Sequence, residues 1–301
     1  MIASLDERKL FGAIFAALAA FHLILVLSTR LFPFTDLPDH LAAAAVARHI
    51  DEPGSRLAEF YRVETGLRPN TAHLAFCASR IFPSVEAANR SLLAVYTVLL
   101  PVSVLLVLAK LGGNPWYALL SFLLLYNYNA SWGFVGFTLA SPLVLLFYRF
   151  FAIDEAALDS PARAALAALW LVGMYFVHVL AALFALLVLL AASATAARGL
   201  RRALPRRLAV AAPLLAMTAL WWRMENRASA DPGLGEFLAS YYRVDFLPAF
   251  AERRLVFVFD NYHLFDGPRG IAVALAFSLS IVAAAAAPLA APLLRERRPR
   301  A

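Results

Sequence analysis

Ala164–Ala197 reads AALAALWLVGMYFVHVLAALFALLVLLAASATAA, 34 uncharged residues, apolar but for the imidazole of His178 and the hydroxyls of Ser193 and Thr195. A membrane crossing takes about 20 residues, and about 17 at the least. The run is therefore one over-long helix or two short ones folded back on each other, with Gly173 and His178 near the turn. That choice decides on which side of the bilayer everything after it lies.

Charge arbitrates. With a hairpin at 164–197 the chain has about eight spans and both termini inside. The inner segments then carry a net excess of eight positive charges, most of it on Arg198–Arg207 and Arg295–Arg300. The two long outer segments, 30–90 and 223–269, carry 0 and −1. This is the asymmetry that the enrichment of Lys and Arg on the cytoplasmic side demands. A single helix would put Arg198–Arg207 and the N-terminus on opposite sides and lose much of it.

Composition agrees with a membrane-embedded chain. Of 301 residues 62% are hydrophobic and 16% charged, with a mean hydropathy of +0.71. Soluble domains carry about 45–50% apolar and about 25% charged residues. The net charge of +7 is juxtamembrane and cytoplasmic in this topology, so it meets lipid headgroups rather than nucleic acid. Cys77 is the one cysteine; it excludes an internal disulfide and a cysteine metal pair, and reads as a small buried side chain.

Taken in order, Leu10–Ser28 is an apolar first span broken only by His22, and longer than the core of a cleaved signal. Residues 30–90 form an outer loop with two short helix candidates, His40–Ile50 and Thr71–Phe82, too short to span and suited to the interface. Pro69 and Pro83 flank the second, where proline is tolerated. Apolar spans follow at Ser91–Ala109, Trp116–Tyr128, Phe137–Phe151, the 164–197 hairpin, Leu208–Trp222 and Ile271–Leu294. The fold class is all-α and polytopic. Residues 1–225 form the main membrane module, and 226–301 a second outer loop and a final transmembrane helix.

This topology gathers unusual polar groups on the outer face. Asp36, Asp39 and His40 follow the first span, and Tyr126–Phe134 joins two spans. His178 sits at the tip of the hairpin, and Asp260–Asp266, with His263, approaches the last span. Ionisable groups at membrane depth point to function by default. Each also has a plainer reading. Asp36 and Asp39 fit a capping box around Pro38, His178 a hydrogen-bonded core histidine, Trp132 an interfacial aromatic, and the loop arginines a solvated surface. Their common side favours a site.

Asp36-Leu37-Pro38-x-His40, Trp132-Gly133-Phe134-x-x-Phe137 and Tyr175-Phe176-x-His178 are similar to segments of bacterial multi-spanning proteins with a GT-C-like plan. A long outer loop straight after span one, with an acidic residue near its start, also resembles the GT-C superfamily of membrane glycosyltransferases. The likeness covers about 1–225; a single span follows residue 270, fewer than such enzymes usually carry. The resemblance implies sugar transfer from a polyprenyl-phosphate donor at the outer membrane face. It maps the family's loop acid onto Asp36, with Asp39 beside it and His40 orienting the base or touching the acceptor. Arg62, Arg68 or Arg243 then hold the lipid phosphate, which suits a bidentate guanidinium. Trp132, His178 and His263 contact substrate. Some members use a divalent metal, and Asp36 with Asp39 can ligate one, although no metal-ligand spacing marks the sequence. A transporter or flippase of a lipid-linked or anionic solute is the competing expectation, and a non-catalytic membrane subunit the third. The Arg- and Ala-rich usage and the N-terminal span suit a bacterial plasma membrane.

Overall fold

The computed structural model describes residues 5–30, 32–64, 66–193 and 200–228. Arg243, His263 and the expected last span Ile271–Leu294 lie outside the described residues. Tyr126–Ser131 belongs to a second compact unit; residues 5–125 and 132–227 belong to the first, which holds the contacts and cavities described below.

Among the described residues all regular structure is helical. Four helices are long and apolar enough to cross a bilayer, which makes the chain an integral membrane protein. They are α1 (Leu5–Ser28), α4 (Val85–Lys110), α6 (Val135–Phe147, continued by a π-turn over Tyr148–Ala152) and α9 (Leu200–Ala228). The outer-loop candidates form as α2 (Leu37–His49) and α3 (Ala72–Ala78), each short. Arg48 of α2 donates to the carbonyls of Ser79 and Phe82 at 2.9 and 2.8 Å, which ties the end of α2 to the segment after α3. α4 opens on Ser84, whose hydroxyl accepts the Ala87 N–H, and runs through Pro101 without a break.

Trp116–Tyr128 differs from expectation. Pro115–Leu124 winds as a 3₁₀ helix, followed by the five-residue α5 (Tyr128–Trp132). At about 2.0 Å per residue, ten 3₁₀ residues cover about 20 Å. The segment packs on α1 and α4. Phe11 meets Trp116 edge-on at 5.6 Å, Phe15 meets Phe122 at 5.2 Å, and His22 stacks on Phe122 at 5.7 Å.

The 34-residue run is a hairpin, α7 (Pro161–Val177) and α8 (Val179–Ala191), with His178 as the one extended residue between them. Contacts at its open end show the reversal. Arg206 of α9 pairs with Asp159, just before α7. The adjacent Arg207, buried, donates to the Leu189 carbonyl and the Ser193 hydroxyl at the end of α8. The hairpin buries Leu171, Met174, Tyr175, Ala182, Leu186 and Leu189 against Ala140 and Phe147 of α6 and Ala211 and Leu214 of α9.

Helix ends therefore sort into two groups. The end of α1, the outer loop, α2, α3, the start of α4, the start of α6 and the α7–α8 turn share one end of the bundle. There Val26, Leu37, Leu93 and Val135 form a small core. At the opposite end Trp116 donates to Glu7, Arg149 to the Leu106 carbonyl, and Lys110 faces Asp154 at 4.0 Å.

Two glycines make the first end compact. Gly133 has φ +86°, and a Cβ there would lie 2.6 Å from the Leu37 nitrogen. Gly136 lies against the other partner: a Cβ there would be 2.8 Å from the Val177 carbonyl oxygen. Replacing Gly133 by Ala is expected to destabilise by about 2 kcal/mol or more, because it adds left-handed strain to a backbone clash. Gly136→Ala carries the clash alone and is expected to lose about 1–3 kcal/mol. Thermal unfolding of the variants in lipid nanodiscs measures both, and the larger loss should fall on Gly133.

Candidate functional site

The site begins with backbone. The Asp36 N–H donates to the Trp132 carbonyl at 2.8 Å, so the start of α2 hangs on the entrance to α6. In a capping box that N–H would belong to the Asp39 carboxylate. Asp36 is also in helical conformation (φ −96°, ψ −4°) and its side chain makes no cap bond. Pro38, in the first turn, removes one of the N–H groups a cap would serve. The capping reading of this stretch is therefore corrected. Neither carboxylate has a hydrogen bond or ion pair with any described residue; Asp36 is half-buried and Asp39 exposed.

The outer loop reaches the hairpin tip through Asn70, which sits at φ +63°, a left-handed conformation that asparagine tolerates better than most residues. Its N–H donates to the Tyr175 carbonyl at 3.2 Å, and its Oδ1 accepts the Val179 N–H at 2.8 Å. That N–H is one of the unpaired donors at the start of α8. The Tyr175 hydroxyl answers with a 2.6 Å bond to the Leu67 carbonyl. A loop far away in sequence thus caps a helix at the membrane end.

Between these junctions lies a cavity of about 270 Å³ lined by His40, Asn70, His73, Phe137 and His178, with Leu74, Phe134, Val135 and Val177 as apolar wall. The His40 and His73 rings meet edge to face at 6.1 Å. Phe137 meets His178 in the same way at 4.8 Å. His178 Nδ1 is enclosed and has no partner among the described residues. His73 is buried, and its Nε2–H donates to Asn89 Oδ1 at 2.9 Å; Asn89 is buried as well. Burial lowers the His73 pKa below the usual histidine range, the charge of nearby His40 lowers it further, and the Asn89 bond opposes the shift. His73 is thus neutral at pH 7. Asn89 also lines a second cavity of similar size, with Arg30, Phe32, Leu37, Leu41 and Glu86.

The structure brings together His40 and His178 of the sequence-derived site. Asp36 and Trp132 are joined to each other by the backbone bond but do not line the histidine cavity; Trp132 stacks with Phe134 at 6.2 Å. Arg62 is exposed, and Arg68, also exposed, pairs with Glu64 at 2.5 Å. Neither arginine lines the cavity. Among the described residues no three His, Cys, Asp or Glu side chains gather closely enough to hold a metal ion. Cys77 is fully buried in α3, where burial pushes its thiol up to about 11. Sequence reasoning missed His73, Asn89 and Asn70. Pro69-Asn70-Thr71, a turn signal before a helix, marks Asn70 in retrospect; nothing in the sequence marks a His–Asn pair sixteen residues apart on two helices.

No protein-family model, no curated protein and no solved structure matches the chain.

The lowered pKa gives His73 a pH signature. A group whose folded pKa lies below its unfolded value of about 6.5 contributes stability that is complete above that value and is lost as pH falls through the folded pKa. Melting in nanodiscs at pH 7.5 and pH 5 should therefore show acid destabilisation. His73→Gln, which keeps an N–H for Asn89 and cannot titrate, should reduce it. Asn70→Ala should lower stability by about 1–2 kcal/mol at either pH, by removing the α8 cap and straining the left-handed backbone.

Proposed function

We propose that the chain is a GT-C-like membrane glycosyltransferase that moves a sugar from a polyprenyl-phosphate donor to an acceptor hydroxyl at the outer membrane face. One observation carries the reading. The three short motifs that prompted it, distant in sequence, meet through close backbone contacts at one end of the bundle, beside a polar cavity lined by His40 and His178. Two uncommitted carboxylates stand at the docking point.

In this mechanism the acceptor oxygen attacks the anomeric carbon, forming a new C–O bond as the bond from that carbon to the phosphate oxygen breaks. The acceptor proton passes to the Asp36 carboxylate, and the electron pair leaves with the polyprenyl phosphate. A general base accelerates such a step by about 10²–10⁴-fold. Asp39, three residues on, makes Asp36 a stronger base through like charge, and the two carboxylates would hold a divalent metal if one were bound; His40, the nearest cavity residue in sequence, contacts the acceptor. Arg62, uncommitted among the described residues, fits the lipid phosphate better than Arg68, which is engaged with Glu64. Arg243 remains a further candidate outside the described residues, as His263 does for substrate contact. Trp132 offers an aromatic face.

The same reading carries the full topology: about eight spans, both termini cytoplasmic and the cavity end facing outward across a bacterial plasma membrane. The hairpin supports it, because it returns Arg201, Arg206 and Arg207 to the end opposite the cavity. Labelling single cysteines with a membrane-impermeant reagent in whole cells, on a Cys77→Ala background, should mark position 62 and spare position 201.

Asp36→Asn is the decisive variant. With normal membrane insertion it should lower transfer from a polyprenyl-phosphate sugar by about 10²-fold or more. Full retention of transfer would sink the assignment of Asp36. Movement of the lipid-linked sugar across vesicles without transfer would favour a flippase instead.

A further inference from the structure

We infer that the cavity between His40, His73 and His178 binds a neutral, hydroxyl-bearing ligand of monosaccharide size, and that the His73–Asn89 pair orients it by presenting Nδ1 of His73 as a fixed hydrogen-bond acceptor. The inference deepens the transferase reading, on which its identification of the ligand as a sugar rests.

The argument starts from Asn89. Its Oδ1 can only accept, so the Nε2 it meets at 2.9 Å carries the hydrogen. A neutral imidazole has one N–H, which leaves the lone pair on Nδ1. His73 is neutral for the reason given above, and its Nδ1 bonds to no described residue. On a ring that lines the cavity, Nδ1 is the atom left to meet a ligand. The partner it selects must donate, as a hydroxyl does.

The other cavity groups fit the same chemistry. Beside the His73 acceptor, the Asn70 amide N–H groups and the imidazoles of His40 and His178 supply donors and a further acceptor, which matches a ligand bearing several hydroxyls. No Asp, Glu, Lys or Arg is among the described residues that line the space. A phosphate or carboxylate placed there would be partly desolvated with no counter-charge beside it, at high cost. Phe134, Phe137, Val135 and Leu74 give an apolar wall for the C–H face of a ring. The volume, about 270 Å³, falls just under the ~300–1,000 Å³ typical of drug-sized ligands, so it suits one small molecule. His73 acts here as a positioning residue, and Asn89 acts through it.

The test uses the full chain in lipid nanodiscs, with the methyl glycosides of glucose, galactose, mannose and N-acetylglucosamine as probes and inorganic phosphate as the charged control. Ligand-observed NMR reads binding, and ¹⁵N resonances of labelled histidine read the tautomer. At least one glycoside should bind and shift the Nδ1 resonance of His73, while phosphate does neither. His73→Gln keeps the donor to Asn89, hence the fold, but lacks the Nδ1 acceptor; it should weaken glycoside binding about tenfold. Asn89→Leu should let the His73 tautomers mix in the ¹⁵N spectrum and weaken binding similarly. Absence of any glycoside binding, phosphate bound at the cavity, or unchanged affinity in His73→Gln would each overturn the inference. The two readings fail separately. Glycoside binding without any transfer activity leaves the subsite standing and removes the transferase. Transfer with an unaltered acceptor KM in His73→Gln removes the subsite and leaves the transferase.

Discussion

Close backbone contact at Gly133 and Gly136 is the constraint on which the cavity end of the molecule depends. A loop that passes between helices near a bilayer cannot leave its N–H and C=O groups unpaired, and side chains normally hold backbones too far apart to pair them directly. Here the spacing is removed where α6 begins. One glycine lets the start of α2 approach near enough for the Asp36 N–H to reach the Trp132 carbonyl. The other lets the Val177 carbonyl settle against the helix three residues on. The entrance of α6 therefore acts as a two-sided dock, with the first outer helix on one side and the hairpin tip on the other. Asn70 then closes the ring by bonding the loop to that tip.

Docking of this kind changes what the side chains are free to do. In an isolated helix Asp36 and Asp39 would be consumed in capping; here a carbonyl from another segment takes the N–H that Asp39 would otherwise accept. The single extended residue at His178 follows from the same geometry, since the chain must reverse there and Asn70 supplies the cap that α8 otherwise lacks. Packing thus releases two carboxylates and places three imidazoles around one space. That arrangement costs stability locally, which is the usual state of a functional site rather than of a fold held only for packing.

Much of this was legible in the amino-acid sequence, and the reasons are physical. Membrane spans are read from long apolar runs, so α1, α4, α6 and α9 stood out, and positive charge forced the hairpin at 164–197. The short α3 was visible through the flanking Pro69 and Pro83, and α2 through its alanine-rich run. Pro115–Leu124 was not, because hydropathy measures length in residues and is blind to whether they wind at 1.5 or 2.0 Å each. The capping box was misread because a capping signature is local, while the bond that displaced it comes from Trp132, 96 residues away. His73 and Asn89 were silent for a similar reason: neither is unusual in its own helix, and only their pairing across α3 and α4 has meaning. Gly133 stood in the quoted motif and Gly136 at one of its open positions, but their role needs the partners that a sequence does not show.

The position of the cavity along the membrane normal bears on the choice between transfer and transport. Alternating-access carriers hold substrate near the midplane, commonly where a helix is interrupted. The interruption here is His178, and α7 before it is 17 residues long, about 25 Å at 1.5 Å per residue. The base of α7 is fixed at the opposite end by the pairing of Asp159 with Arg206. The break therefore lies most of the way across an apolar core about 30 Å thick, near one surface. A carrier site would need polar groups about halfway along, where α7 and α8 instead present Ala167, Leu171, Ala185 and Leu186 to an apolar core. The proposed transfer, on a donor that arrives from the bilayer and an acceptor that arrives from water, requires a site near one surface, and the histidine cavity lies near one.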